Sequence, residues 1–350
     1  FLDAFSLDNV LITISAPGYE GALAEEWFGV SYDLEKGPVE IAETTPEQLA
    51  LPGPNPFLPE SLSLVFADDQ IPLPVIDQRS IQVYVDTDVE FGVPRAVTHV
   101  SFRNAGGLMS ALDSAQSLLY SALVEDSLNS LAYPALLAGV SYQVAAAPKG
   151  FRVSIGGYED KQFVLLEQVM RRLIDLEIDN ERFDVLKNRL IKDFENQAKD
   201  KPFQQVYGRL MDELVSSAWP SQEMLAVLKP LTKEQLSSWR DNVFSEVSLQ
   251  ALIHGNVQNE KAEELLALIK DHLPLSEVVV DKPLVKKVMG VNEVNIEIDH
   301  GDAAMMLYIQ DEEASLQARA HSALFSHLVG PSYFSSLRTE QQLGYVVSAL

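Results

Sequence analysis

Two residues near the end of the sequence are of types that suit work on a peptide bond. Arg338 and Tyr345 lie in Ser335-Ser336-Leu337-Arg338-Thr339-Glu340-Gln341-Gln342-Leu343-Gly344-Tyr345-Val346-Val347. A guanidinium is a permanently charged fork of N–H donors, and a phenol adds an O–H. Together they can hold a peptide carbonyl and the oxyanion that forms when it is attacked. The run reads as a helix end with Gly344 as its left-handed cap, then a strand starting at Tyr345. That arrangement would turn both side chains toward the same end of one unit. A second reading fits the same letters: Arg338 pairs with a nearby carboxylate, and Tyr345 is a half-buried strand aromatic. Spacing alone does not choose between them.

The other candidates are weaker. A zinc peptidase needs two imidazoles and a carboxylate on one helical face. The six histidines are His99, His254, His272, His300, His321 and His327, and none has a Glu or a second His at the required offset. His321 and His327 share a helical stretch but lie about 240° apart around it. Asp299-His300-Gly301-Asp302 reads as a tight hairpin turn and Asp86-Thr87-Asp88 as a strand end. Gly106-Gly107 and Gly156-Gly157 lack the further residues of a phosphate loop. The adjacent acids Glu25-Glu26, Glu263-Glu264 and Glu312-Glu313 diverge on a helix and read as solvated faces. No metal ligand and no cofactor site is therefore assigned to this chain.

Composition bounds the rest. The chain has 350 residues, 26 Lys and Arg against 51 Asp and Glu, a net charge of −25, and no Cys. Such a surface repels a phosphate backbone, so nucleic acid is not expected as a partner; basic substrates suit it better. Without Cys there is no disulfide, thiolate metal site or Cys nucleophile. No apolar run is long enough to span a membrane. The sequence opens on Phe1 with neither Met nor a signal-type core, and reads as a processed or excised piece of something longer.

The elements that must position these residues follow an α+β order. Thirteen of the first seventy residues are acidic and only Lys36 is basic. Residues 9–16 read as a strand closed by Pro17-Gly18. Eight prolines fall between 37 and 74, including the run PGPNPFLP at 52–59, which marks an extended spacer. Strands are expected at 81–86 and 97–103, a helix at 111–129, and a hairpin of 140–146 with 151–157. Helices follow at 160–176, 180–199, 203–217 and 232–245, then a strand at 248–257 and a helix at 259–272. A second linker covers 273–286. Strands near 293–298 and 303–310 and a helix at 314–328 open a further unit. Leu131-Ala132-Tyr133 with Gly139 and Tyr142 faintly echoes Leu337-Arg338-Thr339 with Gly344 and Tyr345.

L-R-T-x-x-Q-L-G-Y-x-V resembles the signature in the C-terminal half of the insulysin/pitrilysin family of zinc metallopeptidases, the inverted zincins. Further stretches agree in order along the whole chain: Asn9-Val10 through Gly21, Glu25 to Gly29, Pro56 to Pro59, Asp126 to Asn129, Leu137 to Tyr142, Gly157 to Gln162 and His254 to Val257. The resemblance implies α+β units, each a mostly antiparallel sheet packed against several helices, forming two bowl-shaped halves around a peptide-cutting chamber. It implies residues 1–28 as the end of a preceding unit, 29–74 as the linker between halves, 75–284 as a complete non-catalytic unit and 285–350 as the start of a fourth. The zinc motif H-x-x-E-H would lie in an N-terminal half of the same polypeptide, outside this chain. Arg338 and Tyr345 would reach that site to hold the substrate carbonyl and the tetrahedral intermediate of a peptide substrate. A stand-alone peptide-binding or assembly subunit of a heteromeric peptidase of the same family is the alternative. From the likeness and the lack of Cys the periplasm of a Gram-negative bacterium is expected, with the cytoplasm as the alternative.

Overall fold

A computed structural model describes residues 9–37, 53–66, 74–104, 109–277 and 285–349. Contacts divide the chain into two units, Phe1–Pro54 and Asn55–Leu350. The described part of the first holds a two-stranded antiparallel sheet, β1 (Leu23–Ala24) and β2 (Ser31–Tyr32). Asp33 fastens it by accepting from the Tyr19 hydroxyl at 2.6 Å and the Ala22 N–H at 2.8 Å. The strand expected at 9–16 does not form. Leu11 and Ile14 are exposed, and β-branched residues favour a strand only where a neighbouring strand supplies the ladder.

The second unit is built on a six-stranded sheet. Its strands are β3 (Pro74–Gln78), β4 (Ile81–Thr87), β5 (Arg95–Asn104), β6 (Val140–Ala147), β7 (Gly150–Tyr158) and β8 (Val247–Gly255). The spatial order is β3-β4-β8-β5-β7-β6. Every pairing is antiparallel except β4 with β8. Burial alternates along the strands as the pleat requires. Val83, Val100, Phe102, Phe151, Val153, Ile155, Leu249 and Ile253 are buried, while Gln82, Tyr84, His99, Arg103, Arg152 and Gln250 between them are not. One face is therefore packed under helices and the other is left polar.

Several helices begin where a side chain satisfies a first-turn N–H group. α1 (Ala111–Ser127) starts on a capping box between Ser110 and Asp113. A second helix, α2 (Asn129–Leu137), follows after one residue. α3 (Gln162–Asp175), α4 (Asn180–Gln197, capped by Asp179) and α5 (Pro202–Leu214, with Pro at its first turn) come next. α6 (Ser221–Leu228), α7 (Lys233–Val243, capped by Thr232) and α8 (Glu260–His272) complete the layer. An aromatic cluster ties helices to sheet: Phe151 stacks on Phe244 at 5.5 Å and meets Tyr120 edge-on at 5.9 Å. The Tyr120 hydroxyl donates to the Leu173 carbonyl at 2.8 Å, and burial pushes its pKa up.

Residues 55–66, which fall within the expected spacer, are fastened across one end of this sheet. The Asn55 amide donates to the Pro134 carbonyl at 2.7 Å. Phe57 is 1 % exposed and belongs to the core. Further on, the Glu60 N–H donates to Asp160 and the Val65 N–H to Asn256. Proline restricts helix and ladder, but it does not stop an extended strap from burying an aromatic anchor.

Candidate functional site

The segment carrying Arg338 and Tyr345 begins with α9 (Leu316–Phe334), whose first turn is capped by Ser315 through the Ala318 N–H at 3.1 Å. Pro331 lies inside this helix and supplies no N–H, so one intrahelical bond is missing before the segment ends. The helix then runs into a wide π-type turn, Ser335–Glu340. The Gln341 N–H closes it on the Ser336 carbonyl at 2.9 Å, and the Leu343 N–H bonds the Leu337 carbonyl at 3.0 Å. The left-handed residue is Gln342, at φ 52°, and not Gly344 as expected. Nothing in the letters separates Gln342 from its neighbour Gln341, so this position was not legible in advance.

Residues 341–349 form no strand, and neither do 293–298 or 303–310. Their expected strand character depended on partner strands, which the described residues do not provide. The chain reversal at Gln342 nevertheless brings Tyr345 back against the helix end. The Arg338 guanidinium carbon lies 4.8 Å from the centre of the Tyr345 ring, a cation–π distance. Tyr345 is 85 % exposed and Arg338 is half-buried. Among the described residues the guanidinium has no carboxylate within salt-bridge distance. Glu340, the nearest acid in sequence, accepts from the Ser335 hydroxyl at 3.5 Å instead. A guanidinium carries N–H donors in a planar fork, for which a carbonyl or an oxyanion is a complementary partner. Among the described residues, then, Arg338 has no ion pair, and Tyr345 is exposed and lies outside any strand.

The histidines do not converge. His321 and His327 are exposed on α9. His254 lies 2.8 Å from Asp86, and His99 lies 2.8 Å from the Ser154 hydroxyl. His300 accepts from the Asp302 N–H at 3.0 Å within a bend. Asp86-Thr87 does end a strand, with the Thr87 hydroxyl on the Val257 carbonyl. Gly106-Gly107 lies outside the described residues. Among the described residues no three His, Asp or Glu side chains gather closely enough to hold a metal ion. The zinc that the resemblance implies does not fit this donor set.

A family model described as the middle or third domain of M16 peptidases matches residues 1–227. The chain belongs to the M16 peptidase family. This M16 chain is 27% identical over 369 aligned residues to the insulin-degrading enzyme of Homo sapiens, covering 99% of this chain and 36% of that protein. It is 28% identical over 370 residues to the peroxisomal insulin-degrading enzyme-like 1 of Arabidopsis thaliana, covering 99% and 38%. The crystal structure of pitrilysin superposes with a TM-score of 0.70 at 20% identity, covering 86% of this chain and 33% of that one. The M16 chain thus spans little more than a third of the curated relatives it matches. The likeness to pitrilysin carries the α+β fold with its mostly antiparallel sheet, in agreement with the reading from sequence.

Proposed function

We propose that this chain is the non-catalytic middle and C-terminal part of a zinc-dependent endopeptidase of the insulysin/pitrilysin type. Residues 1–28 end a preceding unit, 29–74 link the halves, 75–284 form a third unit and 285–350 begin a fourth. The metal belongs to an N-terminal half of the same polypeptide; among the described residues of this chain no donor set gathers for it. When the halves close around a peptide, Arg338 and Tyr345 supply hydrogen-bond donors to the substrate carbonyl and to the oxyanion that grows from it. The periplasm is the compartment proposed.

One observation carries this reading. An arginine with no counter-carboxylate among the described residues lies against a solvent-exposed tyrosine at the end of a helix. A structural arginine would be satisfied by its own neighbours, whereas this one is held by a ring and left with donors to spend. The test is a peptidase assay on the 350-residue chain with added zinc, beside the longer parent. Cleavage by the parent alone is expected. Zinc-dependent cleavage by the isolated chain would overturn the assignment.

A further inference from the structure

The outer edge of β6 is not paired with any strand among the described residues. Its bonding to β7 fixes which backbone groups are spare. The Tyr158 N–H donates to the Gly139 carbonyl at 3.2 Å, and Ala147 faces Gly150 across the two-residue turn Pro148-Lys149. Bonded pairs alternate in an antiparallel ladder, so Ser141, Gln143 and Ala145 are bonded to Gly156, Ser154 and Arg152. The N–H and C=O groups of Tyr142, Val144 and Ala146 therefore point away from the sheet. A row of such groups is a template for one more strand.

A cleft of about 610 Å³ opens beside the start of this edge, between α1, α2, α4 and β6. Leu136, Leu186 and Leu190 give it apolar walls. α2 carries no charged residue and buries only Ala135, leaving Tyr133, Leu136 and Leu137 about two-thirds exposed. Three acids line the cleft: Glu125, Asp126 and Asp193. Asp126 is engaged by Arg182 at 2.8 Å, but Glu125 and Asp193 have no ion pair among the described residues. They outnumber the one lining cation, Arg189. The Tyr142 hydroxyl is pushed up in pKa by burial and then by the charge of Glu125.

We propose that β6 is a strand-addition site for an extended peptide with apolar and basic side chains two positions apart. Residues two apart on a strand share a face. On the helix-layer face, the apolar side chains lie on Tyr133, Leu136 and Leu137, and the basic one enters the cleft toward Glu125 and Asp193. The site shares the peptide-binding theme of the reading above but none of its residues, and it needs no metal.

Amide hydrogen exchange on the 350-residue chain tests it, using the end-capped peptide Thr-Leu-Thr-Lys-Thr-Leu-Thr as probe. Exchange at Tyr142, Val144 and Ala146 is expected to slow on binding, while Ser141, Gln143 and Ala145, already bonded, do not change. The peptide with Glu in place of Lys should bind about tenfold more weakly, and Glu125→Gln with Asp193→Asn should erase that preference. Ala146→Pro removes a spare N–H without touching the ladder, which edge strands tolerate, and should abolish the protection. If that variant does not fold, the exchange pattern of the unaltered chain still decides. Protection appearing elsewhere, or equal binding of the Lys and Glu peptides, overturns the proposal. Arg338→Ala should leave this binding intact, so its failure and that of the zinc-site reading remain separable.

Discussion

The guanidinium of Arg338 is stacked on the ring of Tyr345, 4.8 Å from its centre, across a chain reversal made at Gln342. The contact is exposed and contributes about 0.5–1 kcal/mol, too little to explain the pair as a fold determinant. In the longer parent, Tyr345→Phe should lower kcat about 10²-fold with little change in KM, since a donor that serves the oxyanion acts only in the transition state. Arg338→Ala should harm both parameters. Steady-state kinetics on a peptide substrate checks both, and unchanged turnover in Tyr345→Phe would return that residue to packing.

A second prediction concerns Gln162, which is 2 % exposed at the start of α3. Its amide donates to the Ala96 carbonyl at 2.6 Å and the Gly157 carbonyl at 3.1 Å, and it accepts from the Thr98 hydroxyl at 3.0 Å. Gln162→Leu takes one partner from each of two carbonyls and leaves the Thr98 hydroxyl dry, and should cost about 1–3 kcal/mol in urea unfolding. Adding Thr98→Val should recover part of the loss, because one orphaned donor disappears with it.

The strap at 55–66 rests on Phe57. Phe57→Ala should remove about 3–4 kcal/mol of anchoring and expose the backbone between 57 and 65 to thermolysin. The unaltered chain should resist cutting there, and mapping the first cleavage products distinguishes the two. Equal resistance in the variant would show that the hydrogen bonds of Asn55, Glu60 and Val65 hold the strap unaided.

On the polar face of the sheet, His99 is held below its ordinary pKa of 6.5, first by desolvation of its ring and then by Arg152. The folded chain therefore binds this proton more weakly than the unfolded one. Its contribution to stability is complete above pH 6.5 and declines as pH falls from there to the lower folded value, below which nothing more is lost. An NMR titration of the ring should find a midpoint below 6.5. Arg152→Gln should raise it only part-way, since desolvation remains.

Much of this architecture could be read from residue order, and the exceptions share a cause. Strands β4, β5, β7 and β8 announced themselves by alternation, and α4 and α7 by the Asp and Thr that cap them. The helix expected at 111–129 forms as α1, while α2, which follows Leu128 directly and carries Pro134, was not expected. β3 was hidden by Pro74, which an edge strand accepts at its first residue, and α6 by being eight residues long behind Pro220. The stretches 9–16, 293–298 and 303–310 have strand-like letters but no strand, because pairing depends on residues far away in sequence. At the candidate site, Arg338 and Tyr345 were identifiable by type. Their stacking depends on the reversal at Gln342, which no turn-favouring residue announces.

The parallel pairing of β4 with β8 has a consequence for how the molecule is made. β8 arrives last in sequence among the sheet strands, yet it sits centrally, between β4 and β5. Until residues 247–255 leave the ribosome, β3–β4 and β5–β7–β6 are separate fragments, each with a raw interior edge. Such edges invite association with other chains, and a closure over so long a loop is slow. Newly made chains halted before residue 247 are thus the form most in need of a chaperone.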